Sequence, residues 1–207
     1  MEISLPWNRC PSCKKDIAEA FKWLWILAES AGLFSTSFRQ GQAGLKQGLI
    51  LVWLSLNFGW RGGPGSFVQF GSLLKLLHAN FKPQNGLWSD PTPFRSLIWM
   101  DDLVVIEPNL GLRAKTSLGL AETLILKVWG PEALNMAKDL EEGLLETVKL
   151  TWGLIYDTRA MTRALPEPKI ERAAHLLALS AFDFGTFYLH HRLVQELRGC
   201  VEFWKSA

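Results

Sequence analysis

The sequence is poor in cysteine, tyrosine, net charge and long apolar runs, and each shortage excludes something. Three cysteines, Cys10, Cys13 and Cys200, are an odd set in 207 residues. They make no disulfide framework, so a reducing compartment is expected. Lys and Arg number 22 against 20 Asp and Glu, a formal net charge of +2. That balance does not by itself announce a nucleic-acid partner. The longest apolar run, Leu49 to Leu56, is broken by Ser55. A membrane span needs about 20 such residues, so no membrane partner is expected. The start, Met-Glu-Ile-Ser-Leu-Pro-Trp, lacks the basic and apolar regions of a signal peptide. An intracellular protein, cytoplasmic or nuclear, is expected. Also missing are a Gly-x-Ser-x-Gly elbow, a lysine after a phosphate-binding glycine loop, and Gly-x-Gly-x-x-Gly. Hydrolase, NTPase and dinucleotide chemistry therefore have no footing.

What the chain does hold is apolar and aromatic. Hydrophobic residues make up 48% and charged residues 20%, which excludes a disordered or fibrous chain. Ten Trp and twelve Phe stand beside two Tyr. Such rings suit a core or interface filled with few hydroxyls. The length fits one domain or two small ones, with a core that needs no disulfide or metal staple.

No internal repeat or linker divides the chain. Asp16 followed three residues later by Glu19 has capping-box spacing and predicts a helix over Asp16 to Ser30. Leu49 to Leu56 has the length and branching of a strand. After a glycine cluster at 59–65, Phe67, Phe70, Leu73, Leu74, Leu77 and Phe81 recur at helical steps. Ser96 to Met100 and Leu103 to Ile106 predict a buried hairpin with Asp101 and Asp102 at its bend. Leu112 to Trp129 reads as a helix closed by Gly130-Pro131. Thr147 to Ile155 is a strand candidate, and Ile170 to Leu179 and Phe187 to Trp204 are amphipathic. The mixture predicts an α+β fold.

Trp99-Met100-Asp101-Asp102-Leu103 carries the sharpest chemistry. Adjacent carboxylates between apolar strands need counter-charge, which a divalent cation with oxygen ligands, Mg²⁺ or Mn²⁺, would supply. The plainer alternative is a solvated acidic bend. Cys10-Pro-Ser-Cys13 lacks the second pair of a zinc ribbon, and adjacent His190 and His191 cannot share a helix face.

Several segments in order then carry a family resemblance. Asp16-Ile-Ala-Glu-Ala-Phe21 fits Asp-x-x-x-Ala-Phe, Gly59-Trp-Arg-Gly-Gly-Pro64 fits a glycine loop, and the Asp pair follows. Leu134-Asn135-x-x-Lys138, Trp152-Gly153 and Leu165-Pro-x-x-Lys169 come after it. In this order the chain resembles a retrotransposon (retroelement) reverse transcriptase, centred on the polymerase palm.

The resemblance implies an antiparallel palm sheet with an Asp-Asp hairpin, packed on helices, then C-terminal connecting helices. It divides the chain into a leader at 1–13, a palm-like domain at 14–160 and a helical connection at 161–207. It implies an RNA-directed DNA polymerase in which Asp16, Asp101 and Asp102 bind Mg²⁺ or Mn²⁺ and are catalytic, with Lys138 as general acid. Phe21, Gly59, Arg61, Gly62 and Gly63 would border the nucleotide, and Trp152 and Gly153 the primer. Expected partners are an RNA or DNA template with primer, deoxynucleoside triphosphates, and the fingers, thumb and RNase H portions of a parent polyprotein. The pattern also departs from the family: Trp99 stands where Tyr or Phe is usual, Phe58 where Gln is common, and Gly63 where Ser is common. Only fifteen residues precede Asp16, where a fingers region is expected. The alternative is a catalytically inactive remnant that binds nucleic acid or protein.

Overall fold

The computed structural model describes residues 10–82, 92–179, 182 and 190–204. The fold is α+β with antiparallel sheets. Strands β1 (Ser12–Asp16), β4 (Ser96–Trp99) and β5 (Asp102–Ile106) form the sheet that carries the site, in the order β1-β5-β4. The first strand begins at Ser12, inside the stretch expected to be a leader.

Period-two alternation gives this sheet two unlike faces. Cys13 lies opposite Val105 and Lys15 opposite Leu103. Leu103 and Val105 join the core with Phe67, Leu74, Ala121, Ile125 and Trp129. These come from helices α1 (Gly63–Ala79) and α2 (Arg113–Trp129). Both helices appear where the apolar spacing predicts them. On α1, Phe67, Gly71, Leu74 and His78 are buried at steps of three and four. Phe67 is fully buried and stacks on Trp129, with ring centroids 5.7 Å apart. The other face of the sheet pairs Asp16 with Asp102 and Lys14 with Val104. Leu97 and Trp99, opposite Val104 and Asp102, share this side and are exposed.

The helix expected from Asp16 does not form. Asp16 ends β1, Glu19 takes a left-handed φ of 52°, and short 3₁₀ turns at Ala20–Trp23 and Ala28–Phe34 follow. The donors a helix start would leave open are already used. Ile17 N–H bonds the carbonyl of Asp101 at 2.8 Å and Ala18 N–H that of Ala133 at 2.8 Å.

Beyond these turns, β2 (Ser35–Phe38) pairs with β3 (Leu49–Val52) in a hairpin whose β3 residues are all exposed. After α2 come α3 (Met136–Glu142) and a second three-stranded sheet: β6 (Val148–Thr151), β7 (Leu154–Asp157) and β8 (Thr162–Ala164). The single strand expected over Thr147 to Ile155 is thus a hairpin. Its two-residue turn, Trp152 (φ 50°) and Gly153 (φ 78°), keeps both residues left-handed, as the tightest hairpins require. Helices α4 (Glu167–Leu177) and α5 (His191–Trp204) complete the chain's described part. Phe187 to Leu189, expected in the last helix, lie outside the described residues.

Candidate functional site

The site is built where β1 meets the β4–β5 hairpin. The hairpin turns through Met100 (φ 53°) and Asp101, since Trp99 pairs with Asp102. Only one acid therefore occupies the bend, and Asp102 opens β5. Antiparallel register sets Asp16 opposite Asp102, and cross-strand partners share a face. The bond from Ile17 N–H to the Asp101 carbonyl ties the third aspartate to the end of β1. The backbone thus brings Asp16, Asp101 and Asp102 to one corner of the sheet, away from α1 and α2.

The open edge of β1 is covered by the segment around α3. Backbone pairs join Ile17 to Leu134 and Ser12 to Glu146, and α3 arches between them. Its charges match those of β1 in reverse order. Lys138 Nζ donates to Asp16 Oδ1 at 2.6 Å. Lys15 pairs with Asp139, and with Glu122 of α2 at 2.7 Å. Lys14 reaches both Glu142 at 2.9 Å and Asp102 at 3.2 Å. Asn135 Nδ2 donates to Asp16 Oδ2 at 2.9 Å, while Asn135 Oδ1 accepts from Lys138 N–H and caps α3.

Electrostatics follow from this packing. Burial pushes the Asp102 carboxyl above its ordinary value, Lys14 pulls it down, and the charges of Asp101 and Asp16 push it up. Burial works against the charge on Lys14, but its bond to Glu142 and the charge of Asp102 outweigh that and hold it above the ordinary lysine value. The hydrogen bond to Asp16 raises Lys138 in the same way.

The carboxylates of Asp16 and Asp102 are committed to these lysines. Among the described residues, no three acidic, histidine or cysteine side chains gather closely enough to hold an ion. The backbone register thus brings Asp16, Asp101 and Asp102 together, but their side chains do not converge into the metal cluster expected of them. Asp16 is turned to Asn135 and Lys138, and Asp102 to Lys14.

The remaining expected site residues fall into two groups. Phe21 is half-buried between Phe58 (centroids 5.0 Å) and Phe67 (5.6 Å). It also lies over the start of α1, where a β-carbon on Gly63 would meet its ring at 3.4 Å. Gly59, Arg61 and Gly62 lead into that helix, and Arg61 is exposed. A β-carbon at Gly62 would meet the Trp60 ring at 2.6 Å, so a side chain there would displace that partly exposed ring. Trp152 and Gly153 belong to the second sheet, where Lys169 Nζ donates to the Gly153 carbonyl at 3.0 Å. Sequence reasoning missed Lys14 and Glu142 as site residues, and it used Asn135 only as part of a segment. Lys14 lies two residues before Asp16, the strand period that puts both on one face.

No protein-family model matches the sequence. No curated protein matches it either. Among solved structures, the fold is similar to that of a foamy viral protease-reverse transcriptase in complex with dsDNA. The TM-score is 0.58 at 12% identity, and the match covers 93% of this chain and 32% of that one. The chain thus spans about a third of that neighbour's length and has a reverse-transcriptase-like fold.

Proposed function

We propose that this chain is the palm-like part of a retrotransposon-type RNA-directed DNA polymerase, acting with fingers, thumb and RNase H portions of a longer polyprotein. The observation that carries the reading is the register that sets Asp16 opposite Asp102 and bonds Ile17 to Asp101, on the sheet face turned away from α1 and α2. Hard carboxylate oxygens are the donor chemistry Mg²⁺ and Mn²⁺ prefer. The two ammonium groups now on Asp16 and Asp102 fit a corner that demands positive charge. Two divalent ions, when bound, would stabilise the attacking and leaving oxygens of nucleotidyl transfer.

The protein's own residues do the rest. The register sets Asp16 and Asp102 opposite each other on neighbouring strands, and Asn135 holds one oxygen of Asp16. In this reading Phe21 borders the deoxyribose, the Gly59–Gly63 loop takes the nucleotide, and Trp152-Gly153 takes the primer. Lys138 donates a proton to the leaving pyrophosphate. The neighbour's complex with dsDNA supports a template–primer duplex as partner.

Primer extension on RNA and DNA templates with deoxynucleoside triphosphates tests this, first in Mg²⁺ and then in Mn²⁺. Extension that Asp101→Asn abolishes is expected; none from well-folded protein would contradict it. A second reading, a binding module without turnover, is favoured by the ion pairs that already neutralise Asp16 and Asp102. It predicts that a fluorescent primer–template binds equally well to wild type and Asp101→Asn, with no extension by either.

A further inference from the structure

The charge order of β1 and α3 has a property that ordinary surface pairs lack. Read along the strand, Lys14, Lys15 and Asp16 meet Glu142, Asp139 and Lys138 of the helix, acid to base each time. The three pairs differ in what happens when they open. Lys15 is buried to 2% exposure and holds two acids, so its release would strand a charge. Lys138 is the opposite case. Its side chain is 48% exposed, so its ammonium can pass into water at little cost, whereas the side chain of Asp16 is only 5% exposed.

The Lys138–Asp16 pair is therefore asymmetric. The lysine can leave, but the aspartate it leaves behind is a buried carboxylate without compensation, which is costly unless another cation arrives. Asn135 occupies Oδ2 and Lys138 occupies Oδ1, so release of the lysine frees Oδ1. At the neighbouring carboxylate, Lys14 can give up Asp102 and retain Glu142, so it too yields without being orphaned.

From this we infer that Lys138 is an internal counter-cation of Asp16, held in place until a divalent ion displaces it, so that the fold carries a competitor for its own metal site. The inference rests on the metal reading above. Exchange is built into the exposed pair and excluded from the buried one. The ammonium also offsets the charge of Asp16 and ties α3 to β1 when no metal is bound.

Mn²⁺ titration by calorimetry at low ionic strength tests the inference, with folding of every variant checked by circular dichroism. Lys138→Met should bind Mn²⁺ about three- to tenfold tighter than wild type, the span expected for one charge-assisted pair at a half-exposed site. Lys138→Arg, which keeps the charge, should match wild type, and Asp101→Asn should bind far more weakly. Unchanged or weaker affinity in Lys138→Met, with wild type binding and Asp101→Asn not, would overturn the competitor and leave the metal reading standing. No binding by either protein, or equal binding in Asp101→Asn, would overturn both. If Lys138→Met does not fold, Lys138→Gln takes its place. A measurement on wild type alone decides as well: acetylation of Lys138, followed by mass spectrometry, should rise when Mg²⁺ is added. An unchanged rate at saturating Mg²⁺ would overturn the inference.

Discussion

Asn135 holds Asp16 at two points. Its backbone N–H donates to the Asp16 carbonyl at 3.0 Å, and its side-chain amide donates to Oδ2 at 2.9 Å. The same side chain caps α3 through Lys138 N–H. One residue thus fixes the aspartate, the helix, and the lysine that answers the aspartate. Asn135→Ala should cost about 1–3 kcal/mol in urea unfolding, since a bond to a buried charged acceptor and a helix cap are lost together. Asn135→Ser keeps a capping oxygen and should cost less. Equal losses would show that the cap contributes nothing.

Cys13 reports whether α3 is closed on β1. Its thiol is buried and donates to the Gly143 carbonyl at 2.9 Å, just past the end of α3. Burial pushes its pKa up to about 11, against the opposing pull of Lys15 and Lys149. Only the thiolate reacts, so iodoacetamide at pH 8 should modify Cys13 roughly 100-fold more slowly in the folded chain than in urea. Similar rates would mean that α3 does not cover the strand.

A pH dependence of stability should arise at His78, away from the site. The ring is fully buried and stacks on Phe94, with centroids 5.6 Å apart. Its Nε2 meets the Ser117 carbonyl at 3.0 Å, an acceptor only, so Nε2 carries the hydrogen. Nδ1 has no partner among the described residues, and protonating it would bury an unmet donor. Burial lowers the pKa of His78 despite the Ser117 bond and the nearby Glu107 charge. Glu107 is itself held by Arg113 and Ser117. The unfolded chain thus binds the proton more tightly. The contribution of His78 is complete above the ordinary value of 6.5 and is lost as pH falls from there toward the lower folded value. His78→Gln retains a donor without titrating, and it should flatten the fall in melting temperature between about pH 7 and 5. An unchanged slope would assign the fall to other groups.

Phe67 anchors the core beneath the site. It is fully buried and touches both Trp129 and Phe21. Phe67→Ala should cost about 3–5 kcal/mol by denaturant unfolding, whereas Phe67→Leu, which leaves a smaller void, should cost less. A loss under about 1 kcal/mol would mean that the rings do not pack as described.

Much of this arrangement was legible in the residues, and the failures have a common cause. Helices α1 and α2 follow from apolar steps of three and four, and Gly130 ends α2 as expected. The hairpin was visible because apolar runs flank Asp101 and Asp102. Asp16 and Glu19 misled, since a capping box is a local pattern. The atoms that claim Asp16 belong to Asn135 and Lys138, 119 and 122 residues away. Helix α3 has seven residues, too few for a periodic signal. Strand-like residues alone do not reveal the turn at Trp152-Gly153, which the family resemblance implies, because it needs left-handed backbone at a tryptophan. The family resemblance implies the three aspartates as ligands, yet only the fold reveals that two of them are already held by lysines.

The central claim is that Asp16, Asp101 and Asp102 form a divalent-metal corner. Crystals grown with Mn²⁺ and a deoxynucleoside triphosphate test it through anomalous scattering. The account predicts a peak bounded by these three carboxylates, with Lys138 withdrawn from Asp16. A saturated crystal with no peak at that corner, and Lys138 still on Asp16, would contradict it.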